Sequence, residues 1–297
     1  MAADRLLAPR ARELLVADVE TRIAHIKKPA FVPYGNAEAI LQAMEDLRQH
    51  PETNRPPNLL IVGRSNNGKT DILKEFKRRH PVNERPSGDT THAPVIFIQA
   101  PPSPDDKLFL DRALRVFNIL PRRSATDGEK LGLFIDQLRA SGTRVMIIDE
   151  LHSILAGPVH RQRVMLNTFK FISNDARVSV VAAGTAAARD AFATEPELMT
   201  RFEERALPLW NPVDQEYKRL LMRFEATLPL KEASQLTQSQ VANAIYGLSG
   251  GTIGGIARAV KEAAINALMA GQEAMSLEIF DAIQAKRSAQ KAQSERI

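Results

Sequence analysis

The chain reads as an α/β protein with a three-layer αβα core around a five-stranded, mainly parallel sheet, a helical region before it and a helical subdomain after it. Three observations predict this. Short apolar runs alternate with helical stretches through the middle of the chain, as in a parallel sheet covered on both faces. The segment Gly63–Thr70, G-R-S-N-N-G-K-T, lies between an apolar run and a helical one. Beyond Trp210-Asn211-Pro212 the strand signal stops.

Taken in order, residues 10–28 place Leu14, Leu15, Val19, Ile23 and Ile26 at helical spacing among charges, which predicts one amphipathic helix ending at Pro29. Ala30–Gly35 is extended, and a second helix carries Ala39, Ile40, Met44 and Leu47. Residues 1–50 thus form an N-terminal helical region, and the proline-bearing linker 51–57 leads into the core. Strands are predicted at Leu59–Val62, Pro94–Ile98, Val145–Ile148, Val178–Ala182 and Ala206–Leu209. Helical stretches between them include Asp71–Arg79, Asp106–Phe117 and Glu129–Ala140. The core therefore covers 51–210 and the helical subdomain 211–285, with helices at Asp214–Leu228, Gln238–Tyr246, Gly254–Met269 and Ser276–Ala285. The tail 286–297 is polar and is expected to fray.

Glycines and small residues at Gly63, Ser65, Asn66, Asn67 and Gly68 let a backbone curl until several N–H groups meet one phosphate chain. Lys69 then reaches the β- and γ-phosphates of a nucleoside triphosphate, Thr70 ligates Mg²⁺, and Asp71 opens the helix whose positive end adds to the attraction. The apolar strand Val145–Ile148 ends in Asp149 and Glu150, two acids that are costly to place there unless a cation or a reacting water uses them. In a phosphate-loop enzyme Asp149 holds the Mg²⁺ and Glu150 orients or deprotonates the attacking water. Thr185, after the fourth strand, either senses the γ-phosphate or caps the next helix. Arg201 and Arg205, just before the fifth predicted strand, are candidates for an arginine finger reaching a neighbouring subunit's nucleotide. The alternative for both is a surface pair with Glu203 or Glu204.

Composition narrows the rest. The 297 residues hold no cysteine, which excludes disulfides, thiolate metal sites and a cysteine nucleophile. The six histidines show no metal-ligand spacing, and Ser153 lacks the setting of a hydrolase nucleophile. No apolar stretch is long enough to span a bilayer and the opening residues lack a secretory core, so a cytoplasmic protein with no membrane partner is expected. A formal charge of +5 permits a polyanionic partner without requiring one.

Together, Gly63–Thr70, Val145–His152, Ala183-Gly184-Thr185, Arg201-Phe202-Glu203 before Leu207–Trp210, and Gly250-Gly251-Thr252-Ile253-Gly254 resemble the AAA+ ATPases of bacterial transposons. The last segment and Val32-Pro33-Tyr34 point to the TniB-like branch, related to TnsC and Mu B protein. The resemblance runs from about Pro29 to Ala285. It implies a P-loop NTPase (AAA+) core with sheet order 5-1-4-3-2, a C-terminal helical lid, and nucleotide bound in a ring or filament of identical subunits. It also implies ATP-dependent coating of double-stranded DNA without sequence reading, and contacts with a TniA-like DDE transposase and a TniQ-like targeting protein. By position, Val32 and Tyr34 would line the adenine pocket, Thr185 would be the sensor, and Arg201 the first choice for the finger. Lys107, Arg122 and Arg123 would touch DNA phosphates, the alternative being simple solvation.

Two departures stand out. Arg64 and Asn66 occupy loop positions where similar proteins carry smaller or acidic residues, and no arginine follows the Gly-Gly step of the lid until Arg258. Hydrolysis is therefore expected to be slow or to need oligomer contacts. Competing readings are a nucleotide-gated scaffold with incidental hydrolysis, and a clamp-loader-like, initiator or secretion ATPase.

Overall fold

A computed structural model of the chain describes residues 6–84, 91–193 and 200–294. It divides into two compact units. A sheet unit holds Asn36–Ser65 and Lys69–Pro208, and a helical unit holds the chain up to Gly35, Asn66–Gly68 and everything from Leu209 onward.

In the sheet unit five parallel strands, β1 (Asn58–Gly63), β2 (Val95–Gln99), β3 (Val145–Asp149), β4 (Ser179–Gly184) and β5 (Phe202–Leu207), lie in the order β2-β3-β4-β1-β5. Read from the other edge this is 5-1-4-3-2, the order implied by the resemblance. Every residue of β1, β3 and β4 is buried, which explains why these strands read as continuous apolar runs rather than alternating ones.

One face of the sheet, with Leu60, Val62, Ile96, Ile98, Met146, Ile148, Val180 and Ala182, packs in a single cluster with four helices. These are α5 (Asp106–Arg115), α6 (Asp127–Ala140), α7 (Val159–Ala176) and α8 (Ala186–Ala193). Helix α4 (Lys69–Arg79) packs against β1 to β4. Helix starts are set locally. Asp105 accepts the Leu108 N–H at 2.8 Å, and Thr126 with Glu129 forms a reciprocal capping box.

Several expectations shift. The fifth strand is Phe202–Leu207, not Ala206–Leu209. It sits at the sheet edge with Glu203, Glu204 and Arg205 exposed, so it has no apolar run to recognise. Helix α7, not singled out above, does carry buried Met165, Leu166, Phe169 and Ile172 at helical spacing. A short antiparallel ribbon, Asn83–Glu84 with Thr91–His92, was not anticipated either.

The helical unit starts with α1 (Pro9–Glu13), a 3₁₀ turn Leu14–Val16 and α2 (Val19–Lys27). The single helix predicted for 10–28 is broken because Asp18, in extended backbone, caps α2 by accepting the Thr21 N–H at 2.7 Å. The rest of the unit is α9 (Gln215–Ala226), α10 (Ser239–Ser249), α11 (Ile253–Met269) and α12 (Leu277–Ser294). The tail expected to fray is helical to Ser294, and the last three residues lie outside the described residues.

Nor do residues 1–50 form one region. α1 and α2 belong with the C-terminal helices, whereas α3 (Gly35–Gln49) falls almost wholly in the sheet unit. The cause is a buried ion pair. Arg22, 2% exposed, donates from Nε to the Pro229 carbonyl at 2.7 Å and from both terminal nitrogens to Glu273. A second tie is Lys261, whose ammonium donates to the Lys28 carbonyl at 2.7 Å.

The Arg22 guanidinium and the Lys231 backbone N–H hold the Glu273 carboxyl down at about 2, against an ordinary 4.5. A carboxyl whose pKa falls on folding stabilises the native state above its unfolded value and loses that contribution as the pH drops. Glu273→Gln leaves the Arg22 charge buried, so it should lower stability at pH 7 by about 3 kcal/mol. In denaturant titrations the gap to wild type should close as pH falls from 4.5 toward about 2.

Candidate functional site

The carboxyl ends of the strands gather the polar residues. β1 runs into the loop Arg64–Gly68 and α4 begins at Lys69. Asn66 (φ 62°) and Gly68 (φ 80°) are left-handed on either side of Asn67. This alternation of backbone hand is the form in which successive N–H groups converge into an anion cradle. A side chain at Gly68 would be strained by its φ and would meet Ile253 Cγ2 at 2.8 Å, so only glycine suits the position.

Lys69 is buried and lies back over its own loop. Its Nζ donates to the carbonyls of Gly63 at 2.8 Å and Arg64 at 2.9 Å. Burial lowers its pKa, while the charges of Glu150 and Asp149 oppose that shift. Thr70, the second residue of α4, donates from its hydroxyl to Asp149 Oδ2 at 2.7 Å and so joins the helix start to the end of β3. Asp149 is buried, and its other oxygen accepts the Glu150 N–H at 2.9 Å.

This hydroxyl and carboxylate are hard oxygen donors. Among the described residues no group of three His, Cys, Asp or Glu side chains could cage a metal. Two protein oxygens at a phosphate-binding loop fit Mg²⁺, which takes its remaining ligands from water and phosphate, and they do not fit zinc.

Glu150 itself is left-handed, with φ 59° and ψ 36°. For a residue with a side chain this backbone is uncommon and costly, and it stands immediately after the last residue of β3. A 3₁₀ turn, Leu151–Ala156, follows it, and His152 Nε2 lies 3.1 Å from Glu150 Oε2.

The other predicted residues are distributed as follows. Ser65 and Asp71 are exposed, and Asn67 is buried. Thr185 is half-buried between β4 and α8, and its carbonyl accepts the Ala188 N–H at 2.9 Å. Arg201 does not sit near its own loop. Its carbonyl accepts the Asn58 N–H at the start of β1, and its guanidinium donates to Asn174 Oδ1 at 2.7 Å. Arg205 lies within β5 rather than before it, paired with Glu203. Lys107 is exposed in the first turn of α5, and Arg122 and Arg123 are exposed on the α5–α6 connection.

In the helical unit Val32 and Tyr34 are buried, and the Tyr34 ring meets Trp210 edge-on at 5.2 Å. The loop tip Asn66–Gly68 is bonded to the start of α11. Asn67 Oδ1 accepts the Ile253 N–H at 3.3 Å, and the Asn66 carbonyl accepts the Gly254 N–H at 3.0 Å. A Cβ at Gly254 would fall 2.0 Å from Asn66 Oδ1. Sequence reasoning identified the Gly-Gly step but not this contact, since its partners, an Asn66 carbonyl and the Asn67 side chain, lie 186 or more residues away in the chain. Arg258 is exposed, one turn further along α11.

Comparison with known proteins follows the same lines. A family model described as bacterial TniB protein matches residues 22–212. Among solved structures, the Aeropyrum pernix ORC1 protein in complex with DNA superposes with a TM-score of 0.63 at 16% identity, covering 89% of this chain and 69% of its own. The ORC2 protein of the same organism, in ADPNP–ADP complexes, gives 0.61 at 19% identity, with 86% and 69% covered. The Thermotoga maritima RuvB Holliday junction branch migration motor gives 0.50 at 15% identity, with 86% and 71% covered. At these identities the likeness is one of fold, and that fold is AAA+. Comparison with curated proteins gave no match. No helix among the described residues is long and apolar enough to cross a membrane.

Proposed function

The chain belongs to the bacterial TniB family, and from that premise we propose that it is an ATP-dependent switch of DNA transposition, assembling on double-stranded DNA while it holds ATP and leaving on hydrolysis. The observation that carries the reading is the Thr70–Asp149 hydrogen bond, 2.7 Å long, beside a buried Lys69 whose ammonium is satisfied only by loop carbonyls. Triphosphate oxygens are stronger acceptors than those carbonyls, so Lys69 turns to them on binding. Thr70 and Asp149 would hold Mg²⁺, which when bound neutralises phosphate charge. The loop amides and the first turn of α4 orient the triphosphate. Glu150 takes the proton of the attacking water, and Thr185 stands at the same sheet edge as sensor or cap.

Arg201 is the finger in this reading, with Arg205 as the alternative. β1 separates Arg201 from its own loop by roughly 17 Å, so it serves a neighbouring copy. Lys107, Arg122 and Arg123 are the proposed phosphate contacts on DNA, and a TniA-like transposase and a TniQ-like targeting protein are the proposed partners. A second reading, a nucleotide-gated scaffold with incidental hydrolysis, is favoured by one observation. The start of α11 offers no arginine and its first amides are already bonded to the loop tip.

Glu150→Gln discriminates between the readings. Hydrolysis should fall about 100-fold or more, while ATP and DNA binding persist and release from DNA stalls. Release at the wild-type rate, followed by light scattering after ATP is exhausted, would rule out the hydrolytic switch. Electron microscopy of the wild type should show ordered oligomers on duplex DNA with ATP and none with ADP, weakening steeply with salt. The finger has its own test. Lys69→Ala and Arg201→Ala should each be inactive alone. Mixing them should restore part of the ATPase rate, because some junctions then join an intact loop to an intact arginine. No recovery on mixing would remove Arg201 from the role.

A further inference from the structure

We propose that His152 is the positioning residue for Glu150: it donates a hydrogen bond to one carboxylate oxygen and leaves the other aimed at the attacking water. The inference rests on the nucleotide-hydrolysing reading of this site. It begins from a difficulty in that reading. A general base must be held in reach of its water, yet Glu150 lies in a turn and its side chain is more than a third exposed.

The surroundings supply the constraint. Glu150 is fixed in the left-handed region, with its N–H on Asp149 Oδ1 and its carbonyl accepting the Ser153 N–H at 2.9 Å. This closes the turn so that residue 152 folds back, and His152 Nε2 reaches Glu150 Oε2 at 3.1 Å. The imidazole Nδ1 is buried and is the one buried side-chain polar atom among the described residues with no partner. A hydrogen on Nδ1 would be an unsatisfied buried donor, so the neutral ring carries its hydrogen on Nε2, facing the carboxylate.

The turn is also pressed from β4. A Cβ at Gly184 would stand 2.5 Å from Ala188 Cβ, 3.5 Å from the His152 backbone nitrogen and 3.6 Å from Leu151 Cβ. The end of β4 therefore abuts the backbone of residues 151–152 and fixes where the turn that carries the imidazole lies. An incidental surface Glu–His pair would need neither the left-handed glutamate nor a buried ring nitrogen. With Oε2 engaged by His152, Oε1 is the free oxygen of the base. Without His152 the carboxylate keeps its chemistry and loses its aim.

The test measures ATP hydrolysis by the full chain with Mg²⁺ and duplex DNA for wild type, His152→Ala and His152→Gln, each also in a Glu150→Gln background. His152→Ala should lower kcat about tenfold, with nucleotide affinity and melting temperature unchanged. His152→Gln, whose amide can donate to the same carboxylate, should recover most of the loss. In the Glu150→Gln background His152→Ala should have no further effect, because the group it positions is already disabled. The inference is overturned by an unchanged kcat in His152→Ala, by a kcat loss that comes with lost affinity or lost stability and is not rescued by glutamine, or by an effect that persists when Glu150 is absent. A wild type that neither binds nor hydrolyses ATP would instead fell the functional reading beneath it.

Discussion

A sheet buried on both faces can carry polar chemistry only at its ends, and that constraint organises this molecule. β1, β3 and β4 are buried throughout their length, and apart from Asn58 and Ser179, which open β1 and β4, they stay apolar until Asp149. Lys69, Thr70, Asp149, Glu150 and Thr185 come from separate stretches of chain. Parallel pairing brings their starting points to one edge, because parallel strands all finish on the same side. The Thr70–Asp149 bond is the direct expression of this, linking elements 79 residues apart.

The edge is costly to maintain. Lys69 is buried under conditions that disfavour its charge, two residues with side chains, Asn66 and Glu150, take left-handed backbone, and one ring nitrogen of His152 is left without a partner. These features fall within or beside the same two segments, Gly63–Thr70 and Asp149–His152. Asn118, Arg177 and Gln235 take the same backbone elsewhere, so it is the meeting of left-handed residues with a buried lysine that sets this edge apart, and a well-packed sheet stands behind it to offset the cost. The buried Arg22–Glu273 pair is different in kind. It stands among helices, both its partners are satisfied, and it fixes which helices belong together.

How much of this could be read in the sequence depended on whether the signal was local. The phosphate loop, the Asp149-Glu150 pair and the strands β1 to β4 were legible because each is a run of residues whose types its own environment demands. Strand β5 was misplaced by four residues at its start, since most of Phe202–Leu207 is exposed and can carry charge, whereas β2 at the opposite edge is mostly buried and apolar. The break in the first helix hung on a single cap at Asp18, and the grouping of α1 and α2 with the C-terminal helices on an ion pair 251 residues apart in the chain. The contact between Asn66, Asn67 and the start of α11 joins a backbone carbonyl, which any residue could supply, and the Asn67 side chain to amides far away in the chain. Nothing in composition or spacing could have announced it.

The position of Arg201 carries the last consequence. It lies at the amino end of the sheet, beside Asn58, while the phosphate loop lies at the carboxyl end. On the proposed roles, then, one subunit offers its arginine from one end and receives another at the opposite end. A head-to-tail repeat, as in a ring or a helical filament, meets that requirement at every internal junction. α7 strengthens the argument. It begins just past the 3₁₀ turn that carries His152 and bears in its last turn Asn174, the residue that holds Arg201. At about 1.5 Å per residue this helix is a rod of roughly 27 Å, long enough to tie the turn bearing one subunit's proposed base to the arginine it extends to the next. Occupancy of one site would thereby bear on the geometry of its neighbour, which is the coupling that a nucleotide-controlled polymer on DNA requires.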